Sequence, residues 1–165
     1  MRILGIDPGY GITGFGLIES ERGQNRLLQC GANTTPPGMD FSARLEIIYE
    51  DMRKLLELSK PDAVAIEELF FGQNVTTGIG VAQSRGVILL AIRQAGLEVT
   101  SYKPMQVKQA LVGYGNATKH QMQDMTKRLL HLNEMPKPDD AADAIAIALC
   151  HARSSTSLLA RAQKQ

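Results

Sequence analysis

The sequence feature that most constrains the fold is an apolar stretch near the C-terminus that contains one carboxylate. Residues 141–150 read AADAIAIALC, and Asp143 is the only charged residue among them. A helix that is apolar on all sides is normally buried, and a buried carboxylate is costly unless it has a partner. Asp140 lies one helical turn before Asp143, so the two carboxylates share a helix face and repel each other. The pair therefore predicts a buried Asp143 and a positive partner, which is a Lys, an Arg or a metal ion.

A purely structural explanation of the acids is also open. Asp139 and Asp140 lie in the first turn of the predicted helix, where carboxylates interact favourably with the positive end of the helix dipole. Helix capping together with a salt bridge would then account for them without any functional site.

Length and composition indicate one soluble globular domain. The chain has 165 residues, of which 44% are hydrophobic and 21% are charged, and it contains no uncharged apolar run of about 18 residues. We predict a folded domain over residues 1–153 and a flexible tail over residues 154–165, where the apolar content is low. A cytoplasmic location is expected, and no membrane partner is expected.

The apolar periodicity predicts an alternating α/β domain. Three consecutive strands are expected at RILGID, ITGFGLIES and RLLQCGANTT (residues 2–7, 12–20 and 26–35), forming an antiparallel meander. Two later strands are expected within residues 61–69 and 97–102. Helical spacing covers residues 42–60, 75–95, 104–112 and 119–132, before the C-terminal helix. This order favours a mixed sheet of about five strands with helices on both faces.

The predicted helix over residues 75–95 is unusual for its glycines. Gly78, Gly80 and Gly86 lie inside it, and glycine costs up to about 1 kcal/mol in a helix interior. We therefore expect this helix to pack closely against the sheet or against a second subunit.

Two further carboxylates follow buried strands. Asp7 ends RILGID and Glu67 ends AVAIE, and the ends of strands are where open α/β sheets form their sites. Each also has a local explanation: Asp7 opens an Asp-Pro-Gly turn, and Glu67 is a strand-end charge beside Glu68.

Taken together, the four carboxylates indicate a divalent-metal site with oxygen ligands. Mg²⁺ prefers carboxylates, water and phosphate oxygens, and the chain has no cluster of His and Cys that would favour a softer metal. Two such ions about 4 Å apart can bind the attacking and leaving oxygens of a phosphodiester. The residues alone thus point to a metal-dependent nuclease or phosphotransferase.

A locally basic segment accompanies these acids. Residues 102–128 contain five cations and one anion: Lys103, Lys108, Lys119, Lys127, Arg128 and Asp124. Either a solvated helix face or a surface that binds phosphate backbone explains this imbalance.

Five motifs, in order, carry a resemblance to a known family. They are ILGIDPGYGITGFGLI, PDAVAIEELFFGQN, VAQSRGVILLA, QVKQALVGYGNATKHQM and PDDAADAIAIALCHA, and they extend from about Arg2 to about Ala152. In these motifs the chain resembles the RuvC-type Holliday junction resolvases. The resemblance implies a ribonuclease-H-like α/β fold, a five-stranded mixed sheet in which three strands are antiparallel and two are parallel, flanked by helices.

The resemblance also implies a function and its residues. It implies a homodimeric endonuclease that resolves four-way (Holliday) DNA junctions by paired symmetric nicks in recombination and repair. Mg²⁺ is the implied cofactor, with Mn²⁺ substituting and two ions per site, and the RuvA–RuvB branch-migration complex is the implied partner. The family's catalytic, metal-binding carboxylates fall on Asp7, Glu67, Asp140 and Asp143, and its DNA-binding residues on Phe70, Lys108 and Lys119. Asp139 lies outside the match.

Three rival functions remain open from the residues. A related nuclease acting on structured RNA or on an RNA–DNA hybrid would use the same metal chemistry. A sugar-kinase or actin-type ATPase would need a second glycine-rich phosphate loop and a second domain. A junction-binding protein without activity would not need four carboxylates.

Overall fold

One five-stranded sheet organises the chain in the computed structural model, which describes residues 1–69 and 75–162. The strands are β1 (Arg2–Asp7), β2 (Ile12–Glu21), β3 (Gln24–Thr34), β4 (Ala63–Glu67) and β5 (Val99–Tyr102), in the order β3-β2-β1-β4-β5. The first three strands pair antiparallel, whereas β4 and β5 run parallel to β1. The predicted mixed sheet is therefore confirmed.

Five helices in the described residues flank this sheet. They are α1 (Phe41–Ser59), α2 (Val75–Gln94), α3 (Pro104–Val112), α4 (Lys119–Leu130) and α5 (Asp139–Ala162). None of these helices combines the length and apolarity that crossing a bilayer requires.

Helices cover both faces of the sheet, and strand alternation separates two cores. Ile3 of β1 packs in a core built with α3, α4 and α5. Leu4 and Ile6 of the same strand pack in a second core with α1 and α2. Odd-numbered positions of β1 therefore face α5, because successive side chains point to opposite faces of a strand.

The C-terminal helix is buried on nearly all sides, but the expected burial of Asp143 is wrong. Ala141, Ala142 and residues 144–150 are buried, whereas Asp143 is exposed. Asp143 lies in the second turn of α5, where one side of the helix is open to solvent.

The same helix continues to Ala162, nine residues past the predicted domain end at Arg153. The Ser154 hydroxyl donates to the carbonyl of Cys150 at 2.9 Å, one turn earlier. Residues 158–162 read LLARA, and these residue types have high helix propensity. Flexibility of the segment from residue 154 onward stays a prediction.

Two of the α2 glycines, Gly80 and Gly86, have different environments. A methyl group added to Gly80 would lie 2.9 Å from the ring of Tyr10, so close packing inside the domain explains this glycine. Gly86 faces open space, with nothing within 4 Å of the same position.

Candidate active site

Asp7 and Glu67 end two adjacent parallel strands. The pairing of β1 with β4 sets Ile6 opposite Ile66, so the residues that follow them lie side by side. Ile6 and Ile66 face the core formed with α1 and α2, and by alternation Asp7 and Glu67 face α5. Because neighbouring strands are about 4.8 Å apart, the two carboxylates meet at one edge of the sheet.

Two glycines allow α5 to approach these strand ends. A methyl group on Gly5 of β1 would lie 2.0 Å from the carbonyl oxygen of Ala144. One on Gly14 of β2 would lie 2.1 Å from the carbonyl oxygen of Asp140. Any side chain at either position would push α5 off the sheet, so the glycines bring the acids of α5 close to Asp7.

A cleft of about 240 Å³ forms where these elements meet. It is lined by three of the four predicted carboxylates, two lysines and an apolar floor: Asp7, Glu67, Asp143, Lys108, Lys119, Pro104, Val107, Met122, Ala146 and Ile147. Asp140 does not line the cleft, but its charge raises the pKa of both Asp7 and Asp143.

Asp7 is the most strongly perturbed acid of the site. Burial, followed by the negative charges of Glu67, Asp143 and Asp140, raises the pKa of Asp7 to about 8, and the nearby charge of Lys119 opposes this shift. At pH 7 its carboxyl group is therefore largely protonated, because burial disfavours the charged form and the neighbouring carboxylates add to that effect.

Glu67 and Asp143 shift in the same direction. Desolvation and then the charge of Asp143 raise the pKa of Glu67, whereas Lys108 lowers it. Desolvation by the surrounding protein also raises the pKa of Asp143 although its side chain reaches solvent, and Lys119 opposes this. Three acids thus share one environment that disfavours their ionised forms.

The two predicted lysines approach the cleft from different helices. Lys108 extends from the middle of α3 and is half-buried, and Lys119 is the exposed first residue of α4. Lys119 Nζ forms an ion pair with Asp139 Oδ2 at 2.8 Å, and this contact raises the pKa of Lys119. Asp139, which the family match leaves out, thus has a defined partner.

The donor set fits a hard divalent cation. The acids of the cleft supply only oxygen donors, and burial, followed by repulsion between the carboxylates, raises the pKa of each acid, an effect that a bound cation would oppose. Over residues 1–69 and 75–162, no three His, Cys, Asp or Glu side chains lie in an arrangement that by itself could hold a metal ion. Water and phosphate oxygens would therefore have to complete the coordination, as is usual for Mg²⁺.

Arg85 is a residue of this region that the sequence did not single out. Its Nε donates to the main-chain carbonyl of Glu67 at 3.0 Å, and its Nη2 donates to Ser101 Oγ at 2.8 Å. The side chain therefore ties α2 to the ends of β4 and β5. An Arg in an apolar helix gave no signal of this role, because its partner is a main-chain atom that is distant in sequence.

Arg153 supports the cleft in a similar way. Its guanidinium group donates to the carbonyls of Ala110 and Leu111 in the last turn of α3. The contact fixes the helix that carries Lys108 against α5.

A larger groove of about 550 Å³ lies between α1 and α2, away from the acids. Its charged lining residues are Arg53, Glu57 and Lys60, so the groove has one carboxylate and two cations. The smaller cleft, with its three acids, is the better candidate for chemistry.

Phe70, the predicted DNA-stacking residue, lies outside the described residues. The described chain ends at Leu69, two residues after Glu67, and resumes at Val75.

Comparisons with known proteins agree on one family. The model of the family "Crossover junction endodeoxyribonuclease RuvC" matches residues 3–151. A crossover junction endodeoxyribonuclease RuvC from Chloroflexus aurantiacus is 52% identical over 158 residues, which are 96% of this chain and 96% of that protein. The structure of Thermus thermophilus RuvC is 38% identical with a TM-score of 0.88, over 95% of this chain and 96% of that one. The same protein in complex with a Holliday junction substrate gives a TM-score of 0.89 at 38% identity, with 94% of each chain covered.

Proposed function

The chain belongs to the RuvC family of crossover junction endodeoxyribonucleases, and from this premise we propose how its own residues resolve a Holliday junction. It is a metal-dependent endonuclease that acts on four-way DNA junctions. The observation that carries the residue assignment is the shared cleft of Asp7, Glu67 and Asp143, which two lysines border.

In this proposal the catalytic and metal-binding residues are Asp7, Glu67, Asp140 and Asp143. They hold Mg²⁺, with Mn²⁺ as a substitute and two ions per site. When bound, the ions supply a more acidic attacking water and positive charge beside the phosphate that is cleaved. The carboxylates supply the negative charge that retains the cations, and the strand ends of Asp7 and Glu67 fix half of the ligands on a rigid sheet.

Lys108 and Lys119 are proposed to bind the DNA backbone. Both border the cleft, so a phosphate placed at the acids lies within reach of their ammonium groups. Their positive charge offsets the repulsion between the acids and DNA. Phe70 is proposed to stack on a base near the crossover, on the family resemblance.

A homodimer is proposed because the substrate has near two-fold symmetry and two strands to cut. Two identical sites related by a two-fold axis would make paired symmetric nicks. The face of α2 that carries Ile79, Gly86 and Leu90 supports this, because both large side chains are 53% exposed and Gly86 leaves room for a second helix. Leu90→Glu should convert a dimer to monomer in sedimentation, whereas Leu58→Glu, an exposed site on α1, should not.

The remaining parts of the proposal rest on the family resemblance. They are a partnership with the RuvA–RuvB branch-migration complex and a cytoplasmic location in the cell.

The test compares labelled four-way junction, plain duplex and RNA–DNA hybrid, each with Mg²⁺ and with EDTA. Symmetric, metal-dependent nicks confined to the junction support the proposal. Preference for the hybrid would contradict it and assign the same site to a nuclease of RNA–DNA hybrids.

A further inference from the structure

Asp139 and Lys119 join the starts of two helices at the edge of the cleft. Each is the first residue of its helix, α5 and α4 respectively, and the Nζ to Oδ2 distance is 2.8 Å. The side chains are 54% exposed for Lys119 and 65% exposed for Asp139. Lys119 also lines the cleft of the three acids, whereas Asp139 does not.

Helix stability accounts for Asp139, whose carboxylate lies in the first turn of α5, but not for its pairing with Lys119. Exposed ion pairs contribute little to folding stability. The α4 helix already begins with a capping box between Thr118 and Gln121, and a cation in its first turn is unfavourable to the helix dipole. The main effect of the ion pair is therefore to fix the position of the Lys119 ammonium group.

That position matters because Lys119 is close to the proposed metal ligands. Its charge lowers the pKa of both Asp7 and Asp143, so it interacts with the acids even while bound to Asp139. A Lys ammonium lies on a flexible four-carbon stem and pairs readily with a carboxylate. Besides Asp139, the anions whose charges act on Lys119 are Asp143 and Asp140, two of the proposed metal ligands.

We propose that Asp139 is a positioning residue that holds the Lys119 ammonium outside the carboxylate cluster and so leaves the cluster free to bind divalent metal. The inference rests on the proposed metal site. It assigns Asp139 no contact with metal or substrate, and its effect passes through Lys119. Phosphate can still draw Lys119 toward DNA, because the ion pair is open to solvent and exchanges easily.

The test is Mn²⁺ binding to the full chain without DNA, measured from the electron paramagnetic resonance signal of free Mn²⁺. Asp139→Asn should weaken Mn²⁺ binding about three- to tenfold, and Asp139→Glu should restore it. In a Lys119→Met background, Asp139→Asn should change the dissociation constant less than about twofold, because there is no ammonium to hold.

A competing explanation is that Asp139→Asn weakens Mn²⁺ binding only because it removes a negative charge. The double-mutant cycle with Lys119→Met separates this explanation from the proposal. Charge loss alone predicts the same fold-change in both backgrounds, and that result would overturn the inference while leaving the metal site intact. If the wild-type chain binds no Mn²⁺, or if Asp143→Asn leaves binding unchanged, the proposed metal site itself fails. Cleavage assays add a second readout, in which Asp139→Asn raises the metal concentration for half-maximal rate and leaves the rate at saturating metal unchanged.

Discussion

The guanidinium group of Arg85 binds the main-chain carbonyl of Glu67, with Nε 3.0 Å from the oxygen. Glu67 is the last residue of β4, and the next described residues, Glu68 and Leu69, lie outside any strand. Arg85 therefore adds a side-chain contact to the main chain of a proposed metal ligand at the last residue of its strand, where Glu67 still pairs with Tyr102 of β5. The second hydrogen bond of Arg85, to Ser101 Oγ, attaches the same side chain to β5.

Arg85→Met should lower the rate of junction cleavage roughly 10-fold or more, because small displacements of a catalytic group are costly. Arg93→Met on the same helix is the matched control, since Arg93 is exposed at the far end of α2. Cleavage at saturating metal and junction, together with the urea midpoint of each variant, measures the effect. Equal rates for the two variants would show that Glu67 does not depend on Arg85.

Asp7→Asn and Asp143→Asn should each reduce cleavage at least about 100-fold, since loss of even an outer partner of a metal ligand costs 10–100-fold. Junction binding should be retained or become tighter, because each change removes a negative charge that repels DNA. Gel-shift titration and cleavage of the same labelled junction measure both effects. Asp51→Asn on α1 is the control, and cleavage by either site variant near the control rate would contradict the assignment.

The strands and helices that carry the site could be predicted from the sequence, but the exposure of the site's side chains could not. The apolar runs that end at Asp7 and Glu67 predicted two buried strands with a carboxylate at the end of each, and the structure pairs these two strands in parallel. The exposure of Asp143 was missed, because periodicity defines a helix face but not where that face passes the edge of the sheet. Gly5 and Gly14 carried no signal for a related reason, since a strand glycine acquires meaning only from the backbone packed against it.

Gly14→Ala tests this close packing directly. The added methyl group would lie 2.1 Å from the carbonyl oxygen of Asp140, so α5 must shift away from Asp7. We expect a loss of about 1–3 kcal/mol in the free energy of unfolding, together with strongly reduced cleavage. At Gly11 a methyl group would meet its nearest neighbour, Arg44, at an ordinary 3.5 Å, so Gly11→Ala is the control for both measurements. A Gly14→Ala enzyme with normal stability and activity would show that the helix can yield without disturbing the acids.

The stability of the metal-free protein should depend on pH through Asp7. Its pKa is about 8 when folded, against 3.8 for the ordinary group, so the folded state binds a proton more tightly than the unfolded state. Stability is then fully present below pH 3.8 and is lost progressively as the pH rises toward 8, where the folded state must ionise a crowded carboxyl. In EDTA, Asp7→Asn should flatten this decline and be more stable than wild type at pH 8, by roughly 2 kcal/mol or more. Urea unfolding of wild type and Asp7→Asn at pH 5 and pH 8 measures this difference in the free energy of unfolding. If both proteins lose the same free energy between the two pH values, Asp7 does not have a raised pKa in the folded state.

Lys108→Ala should weaken junction binding and lower cleavage at subsaturating DNA. Lys108 lies on the side of the cleft next to Glu67, where its charge lowers the pKa of that acid and where a bound phosphate would need a cation. Loss of one phosphate contact should reduce the slope of log affinity against log salt by about 0.9, and weaken binding at low salt more than at high salt. Lys54→Ala, an exposed lysine on α1 across the sheet from the cleft, removes the same charge and should leave the slope unchanged. Equal slopes for wild type and Lys108→Ala would assign Lys108 to the acids alone, because a lysine that only balances Glu67 releases no counterion from DNA.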